Sequence, residues 1–457
     1  MKVVVIGGGP GGYVAAIRAA QLGAEVTLVE KENLGGTCLN KGCIPTKALL
    51  QTAEVFADAQ KSADFGVNTS GVTLDFAKAQ TRKQATVNQL VGGVGGLMKA
   101  NKITVVNGTA SFVDKDTIAV DGKPLPFDKI ILATGSVPTT VPISGIDSPR
   151  VVDSTGALEF SEVPASMVII GGGVIGVEFG HIYSTLGADI TIVEAQDEIL
   201  PFMDMELAKI VRAKLEKQGV KILTKAKVVK ILDTATSADV EVEHEGSIKT
   251  LGCEKILMSV GRKVNTAELN LDAAGISHEN GRIIVDKTGR TNVPSIYAIG
   301  DCTGGVMLAH VASVQGEIAA ENIMGHKAVY DEKTNPACVY TNPELAGVGM
   351  TEEQAKAQGI DYIVGRFPFM ANGKALVMGS TEGMVKVIAG KRYGEVLGVH
   401  IAGPRATDMI AQAALAIKVE ATLDEIVDTI CAHPTVAESV REATLAAYGR
   451  AIHVPNR

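Results

Sequence analysis

The feature that most constrains this chain is that it repeats itself: residues 4–30 and 168–194 match at a constant offset of 164. In the first copy an apolar run, 3–6, leads into Gly7, Gly9 and Gly12, spaced as G-x-G-x-x-G. A helical stretch follows, then Leu-Gly-Ala-Glu-Val-Thr-Leu-Val, ending at Glu30. In the second, the run 168–170 leads into Gly171, Gly173 and Gly176, and Leu-Gly-Ala-Asp-Ile-Thr-Ile-Val ends at Glu194. Each acid stands 18 residues past its third glycine. The first glycine of such a loop permits a tight turn, the second lets the backbone approach a pyrophosphate, and the third lets helix pack on strand. The helix N-terminus then offers free N–H groups to the phosphates, and the acid accepts hydrogen bonds from the ribose hydroxyls. One loop of this kind is a weak signal. Two, each opening a strand–turn–helix–strand unit with its acid in register, point to two dinucleotides. Hydride transfer between them calls for a flavin and a nicotinamide. The loops alone do not say which site holds which.

Glu194 bears on the nicotinamide. The stretch Glu194, Ala195, Gln196, Asp197 and Glu198 contains no Arg or Lys. A 2′-phosphate there would meet negative charge, worth a few kcal/mol at an effective dielectric of about 20. If this is the nicotinamide site, NAD is favoured over NADP.

Composition narrows the class further. A chain of 457 residues has room for about three domains. With Lys+Arg 43 against Asp+Glu 51, and no basic tract, a nucleic acid or an anionic membrane is not its main partner. Its apolar runs end in glycines far short of the roughly 18 residues a membrane helix needs. The amino terminus lacks a small-residue cleavage site, so the chain reads as cytoplasmic or as an already processed form.

Six cysteines do not make a disulfide scaffold. Four are scattered, but Cys38 and Cys43 sit close together in Gly35-Gly36-Thr37-Cys38-Leu39-Asn40-Lys41-Gly42-Cys43-Ile44-Pro45-Thr46-Lys47. In an ideal helix their Cα atoms would be roughly 8–9 Å apart, beyond the ~7 Å reach of a disulfide. An irregular turn at Gly42 and Pro45 would close the gap. Three readings compete: a redox disulfide serving a flavin, a metal site, or two idle thiols. No second Cys-x-x-Cys or His pair accompanies them to complete a metal site. Lys47, four residues on, shares a helix face with Cys43 and would favour a thiolate.

The cysteine run resembles the redox-active segment of the pyridine nucleotide–disulfide oxidoreductases, and the likeness extends from Lys2 to about Ala447. It is carried as well by Ala133-Thr134-Gly135, Gly261-Arg262, Ala298-Ile299-Gly300-Asp301 and Met307-Leu308-Ala309-His310. Tyr340-Thr341-Asn342-Pro343-Glu344 and Ala432-His433-Pro434-Thr435 add to it. The resemblance implies FAD on the first loop and NAD on the second. It implies a redox-active disulfide in which Cys38 exchanges with substrate and Cys43 adjoins the flavin. Glu30 would bind the adenosine ribose of FAD and Asp301 a flavin-side hydroxyl chain. Gly108 and Ala309 would line FAD, with Ala133, Thr134 and Gly135 also on the cofactor, while Val228 and Gly261 would serve NAD. Glu178 is implied to pair with Lys47 near the flavin–nicotinamide contact. The implied reaction is oxidation of protein-bound dihydrolipoamide by NAD. Its partners would be the lipoyl carrier domains of a 2-oxo acid dehydrogenase or glycine cleavage complex. Two departures, Lys41 and Gly347, touch neither a proton nor an electron carrier.

Near the carboxyl end, His433 and Glu438 lie in His-Pro-Thr-Val-Ala-Glu. From the residues alone, Thr435 and Glu438 read as a capping box for a last helix. The resemblance instead makes His433 the base for the substrate thiol, with Glu438 orienting it. Some 390 residues separate this His from the cysteines, so the two would meet across a dimer interface. Two relatives within the family are disfavoured: glutathione-type reductases would want basic residues near Glu194, and mercuric reductases a terminal cysteine pair. A docking subunit with a vestigial redox site is opposed by the intact cysteines, His433 and both loops.

The expected fold is α/β, with two Rossmann-like dinucleotide-binding domains, the second inserted in the first, and an α+β carboxyl-terminal dimerisation domain. Its segments are 1–145 (FAD, first part), 146–267 (NAD), 268–336 (FAD, second part) and 337–457 (homodimer interface). In the last, strands are expected over 346–350, 384–388 and 396–401, and helices over 408–417 and 436–447.

Overall fold

A computed structural model describes residues 1–456. Its first sheet is wholly parallel, in the order Ile296–Ala298, Lys129–Leu132, Lys2–Ile6, Glu25–Glu30, Thr104–Asn107. The second repeats that plan: Lys221–Leu223, Asp189–Val193, Ser166–Ile170, Lys255–Met258, Val151–Val152. In each the strand before the glycine loop is central and buried on both faces, which is why these strands read as unbroken Val/Ile runs. The chain leaves the first sheet after Lys129–Leu132 and rejoins it at Ile296–Ala298, with the second sheet built in between.

The third sheet is antiparallel, ordered Ala337–Val339, Glu344–Gly349, Val396–Gly403, Met384–Gly390, Tyr362–Pro368. Helices Ala406–Lys418 and Glu438–Ala447 pack on it, each on its buried stripe. The edge strand Tyr362–Pro368 escaped the reading of the sequence, because Gly365 and Pro368 look like breakers. Gly365 is there for close approach: a Cβ on it would lie 1.8 Å from the Ala443 carbonyl oxygen of the last helix.

The capping box expected at Thr435 is only half present. The last helix begins at Glu438, with Ala437 as its uncapped N-terminal residue. Glu438 Oε2 does accept from Thr435 N–H at 2.8 Å, but the Thr435 hydroxyl donates to the Ala432 carbonyl instead. The tight turn at Ala432 outcompetes the helix for that hydroxyl.

One apolar cluster joins the second and third sheets to helix Cys43–Gln60 of the first unit. Leu49, Leu50 and Ala53 meet Val177, Phe179 and Ile182, and these meet Val339, Leu345 and Ala402. A buried ionic knot reinforces the seam. Lys386 of the third sheet, 1 % exposed, bonds to Asp204 (0 %) at 2.9 Å and to Glu206 at 3.0 Å. Removing one member of such a knot leaves a buried charge unpaired, which costs about 3–5 kcal/mol. Lys386→Ala is therefore expected to lower the thermal midpoint markedly, whereas Lys391→Ala, whose pairing with Asp361 is exposed, should leave it nearly unchanged. Thermal denaturation of the two variants checks this. Among the described residues, no helix is long and apolar enough to cross a membrane.

Candidate active site

The two glycine loops have the same geometry. Gly7 has φ +102°, and a Cβ there would lie 2.3 Å from the Ala133 carbonyl oxygen; Gly171 has φ +109°, with Ser259 O at 2.5 Å. The third glycines are closed off as well, a Cβ on Gly12 or Gly176 meeting the carbonyl of Gly7 or Gly171 at 1.8 Å or 2.0 Å. The middle glycines differ. A Cβ on Gly9 would find nothing nearer than Gly36 Cα at 3.9 Å, and one on Gly173 nothing within 4 Å. Each middle glycine is also the N-cap of a 12-residue helix with no side chain bonded across its end, so the helix N–H groups are free. Two such cradles fit two pyrophosphates.

The acids are held in matching fashion. Glu30 accepts from Gly8 N–H at 2.7 Å and from Glu32 N–H at 2.7 Å. Glu194 accepts from Gly172 N–H at 2.6 Å and from Gln196 N–H at 2.7 Å. One such bond per oxygen leaves each a lone pair for a ribose hydroxyl. The fold also brings Lys225 near Glu194, its ammonium 3.5 Å from Asp197, and sets Lys227 in the cavity wall. Neither was visible in the local stretch after Glu194, because both arrive some 30 residues later, Lys225 from a bend and Lys227 from the strand Lys227–Asp233 that follows it.

Both cradles open into one cavity of ≈ 2030 Å³, about twice the upper end of ordinary ligand pockets. Gly108, Ala133, Thr134, Gly135, Asp301 and Ala309 line it on the side of the first loop, Val228 and Gly261 on the side of the second. Asp301 accepts a hydrogen bond from Ser136 Oγ, which in turn accepts from Arg262 Nε at 2.7 Å. This support for Asp301 was not anticipated, although Gly261-Arg262 stood out as a motif.

Cys38 and Cys43 are in the same wall. Helix Gly36–Lys41 stops at Gly42 (φ −147°, ψ −112°), and a new 18-residue helix, Cys43–Gln60, starts at the second cysteine. The break at Gly42 replaces the ideal-helix spacing, and both cysteines are half-buried free thiols. The neighbouring Cys38 thiol, with the Lys47 charge, outweighs burial and brings the Cys43 pKa down to about 7. Its place at a helix N-terminus acts in the same direction. The Cys38 thiol is pushed up, by its Cys43 neighbour and by burial. Of the two thiols, Cys43 is the one inclined to ionise.

Lys47 Nζ donates to both oxygens of Glu178, at 2.9 and 2.8 Å, although 131 residues separate them. Glu178 is 3 % exposed and also accepts from the backbone N–H of Tyr340 at 3.0 Å. His433 and Glu438 lie elsewhere. His433 Nδ1 is 2.9 Å from Glu438 Oε1, but the imidazole is 79 % exposed and neither residue borders the cavity. Glu438 is held below the usual carboxylate range: burial is outweighed by hydrogen bonds from the Thr435 N–H and from His433. Within one chain, the His–Glu pair and the dithiol are not brought together.

Residues 1–316 match the family described as pyridine nucleotide-disulphide oxidoreductase, and residues 335–444 match the dimerisation domain of that family. The chain belongs to this family. Among the most similar oxidoreductases is a dihydrolipoyl dehydrogenase of Geobacillus stearothermophilus, 46% identical over 458 residues and spanning 99% of this chain and 97% of its own. A mitochondrial dihydrolipoyl dehydrogenase of Pisum sativum is 44% identical over 462 residues, spanning 99% and 92%. Of the solved structures, the HOCl-induced flavoprotein disulfide reductase RclA from Escherichia coli superposes with a TM-score of 0.88 at 32% identity, covering 97% of this chain and 99% of that one. The family's cofactors, FAD and NAD, suit the two cradles described above.

Proposed function

We propose that this chain, as a cytoplasmic homodimer joined through its third sheet domain, oxidises protein-bound dihydrolipoamide to lipoamide and reduces NAD to NADH. The observation that carries the reading is the Cys38–Cys43 pair, set with the Lys47–Glu178 ion pair in the wall of a cavity that opens onto both glycine cradles. The extent of similarity to dihydrolipoyl dehydrogenases supports this choice of substrate. The dithiol would arrive on a lipoyl carrier domain of a 2-oxo acid dehydrogenase or glycine cleavage complex.

In the oxidised resting form Cys38 and Cys43 are joined. His433, supplied by the second copy and held through Nδ1 by Glu438, keeps Nε2 free to take a proton from one substrate thiol. The substrate thiolate attacks Cys38 Sγ, and Cys43 leaves as a thiolate stabilised by Lys47 and its helix N-terminus. The second substrate thiol then attacks the sulfur bound to Cys38, closing the lipoamide disulfide and releasing the Cys38 thiol. Two electrons now reside on the cysteine pair. Bound FAD supplies the acceptor for that electron pair and the hydride that reduces NAD. On the protein side, Gly7, Gly9, Gly12 and Glu30 would hold FAD with Asp301 on its flavin side, and Gly171, Gly173, Gly176 and Glu194 would hold NAD. The Lys47–Glu178 pair links the helix that Cys43 begins to the helix that the second cradle opens.

Anaerobic titration of the yellow protein with dihydrolipoamide, followed by alkylation and peptide mapping, tests the reading. Cys38 and Cys43 should become alkylatable in step with reduction; a protein reduced with both still blocked overturns the assignment. The nicotinamide preference is open to a separate check. Glu194→Ala is expected to narrow the advantage of NAD over NADP by about tenfold or more, measured as the ratio of kcat/KM values. Equal turnover of both nucleotides by the unaltered protein would remove Glu194 as the discriminator.

A further inference from the structure

Tyr340 stands where the three parts of the molecule meet. It follows strand Ala337–Val339 of the third sheet, and its backbone N–H donates to Glu178 Oε1 at 3.0 Å, on helix Val174–Thr185 of the second nucleotide unit. Its ring lies against Lys47 Nζ, 4.4 Å from the centroid, on the helix that Cys43 begins. Lys47 is in turn bonded to both Glu178 oxygens. Three contacts close a triangle around one ammonium group.

We propose that Tyr340 is a positioning residue for the dithiol: its ring face and its N–H together hold the Lys47–Glu178 pair in place beside Cys43. An ion pair alone leaves a lysine side chain free to swing on its long stem. An aromatic face adds a second attraction to the ammonium group, stronger where water is partly excluded. Because the ring is neutral, it fixes the charge without cancelling it, as a second carboxylate would. The phenol stays neutral over the working range: burial, and then Cys338, Glu178, Glu344 and Asp408, push its pKa up to about 12. The charged and titratable groups that act on Cys43 are Cys38 from the preceding helix, Lys47 one turn on, Glu178 from the second unit and Arg262. Of these, Lys47 is the cation that Tyr340 touches.

The inference rests on reading Cys43 as the relay thiolate, and its test is independent of substrate. The flavin-loaded protein, reduced with excess dithiol that is then removed, is alkylated with iodoacetamide across a pH series, and Cys43 is followed by peptide mass spectrometry. In Tyr340→Leu, alkylation at pH 6 should slow about threefold, a midpoint shift of about half a unit upward. Tyr340→Phe keeps the ring and should follow the unaltered protein. Buried Cys253 and Cys302, 3 % and 0 % exposed, should stay unmodified throughout and report an intact fold. A Leu variant that titrates like the unaltered protein overturns the proposal. So does a Phe variant shifted as far as the Leu variant, since the hydroxyl would then be the active part. Failure of the parent protein to oxidise dihydrolipoamide would sink the functional reading and leave the Cys43 titration to decide the role of Tyr340.

Discussion

Cys43→Ser is expected to abolish dihydrolipoamide-dependent NAD reduction, by at least about 10³-fold, while FAD remains bound. The size follows from losing a covalent carrier outright: without the Cys43 sulfur, Cys38 loses the partner of its disulfide, and nucleophile knockouts cost this much or more. Serine cannot form a disulfide, and its hydroxyl stays protonated where Cys43, with a pKa brought to about 7, is substantially thiolate. Flavin retention follows from geometry. The first cradle is formed by Gly7, Gly9 and Gly12 on the loop and helix Pro10–Gln21, whose backbone does not depend on the Cys43 sulfur. Retained flavin absorbance after gel filtration, with no turnover, is the expected pair of results. Near-normal turnover would mean that the cysteine pair is not the relay.

His433→Ala is expected to depress the same turnover by about 10²–10⁴-fold, the usual contribution of a general base. The loss should be confined to the thiol half-reaction. Transfer from NADH to an artificial one-electron acceptor, which needs no thiol proton, should be largely intact. Glu438→Ala should show a milder loss. One Glu438 oxygen holds His433 Nδ1 and the other holds the Thr435 N–H, so the turn 432–437 loosens along with the imidazole. Equal loss in both assays would reduce His433 to a residue of the fold or of the dimer contact.

What could be read from the chain beforehand divides along physical lines. The two nucleotide units were legible because their glycines answer to backbone constraints that no other residue satisfies, as the 1.8 Å and 2.0 Å approaches at Gly12 and Gly176 make plain. The α/β class followed from that repeat, whereas the repeat by itself does not say that one unit is inserted in the other. The cysteine pair was legible as a motif, but its geometry hung on Gly42, where a helix ends and another begins. Lys47 and Glu178 lie 131 residues apart, so no local spacing could join them; family resemblance suggested the pairing. The relay from Arg262 through Ser136 to Asp301 and the arrival of Lys225 and Lys227 beside Glu194 were not anticipated. Each comes from a tertiary neighbour with no periodicity to announce it. The capping box at Thr435 failed for a different reason: Glu438 divides its oxygens between a histidine and a backbone N–H, and the threonine hydroxyl found a nearer carbonyl.

The most direct test of the account is a side-by-side NAD-reduction assay of the flavin-loaded dimer with dihydrolipoamide and with reduced glutathione as the only reductant. NADH should form rapidly with dihydrolipoamide and not measurably with glutathione. A loaded enzyme that is inert toward dihydrolipoamide, or that reduces NAD equally well with glutathione, would contradict it.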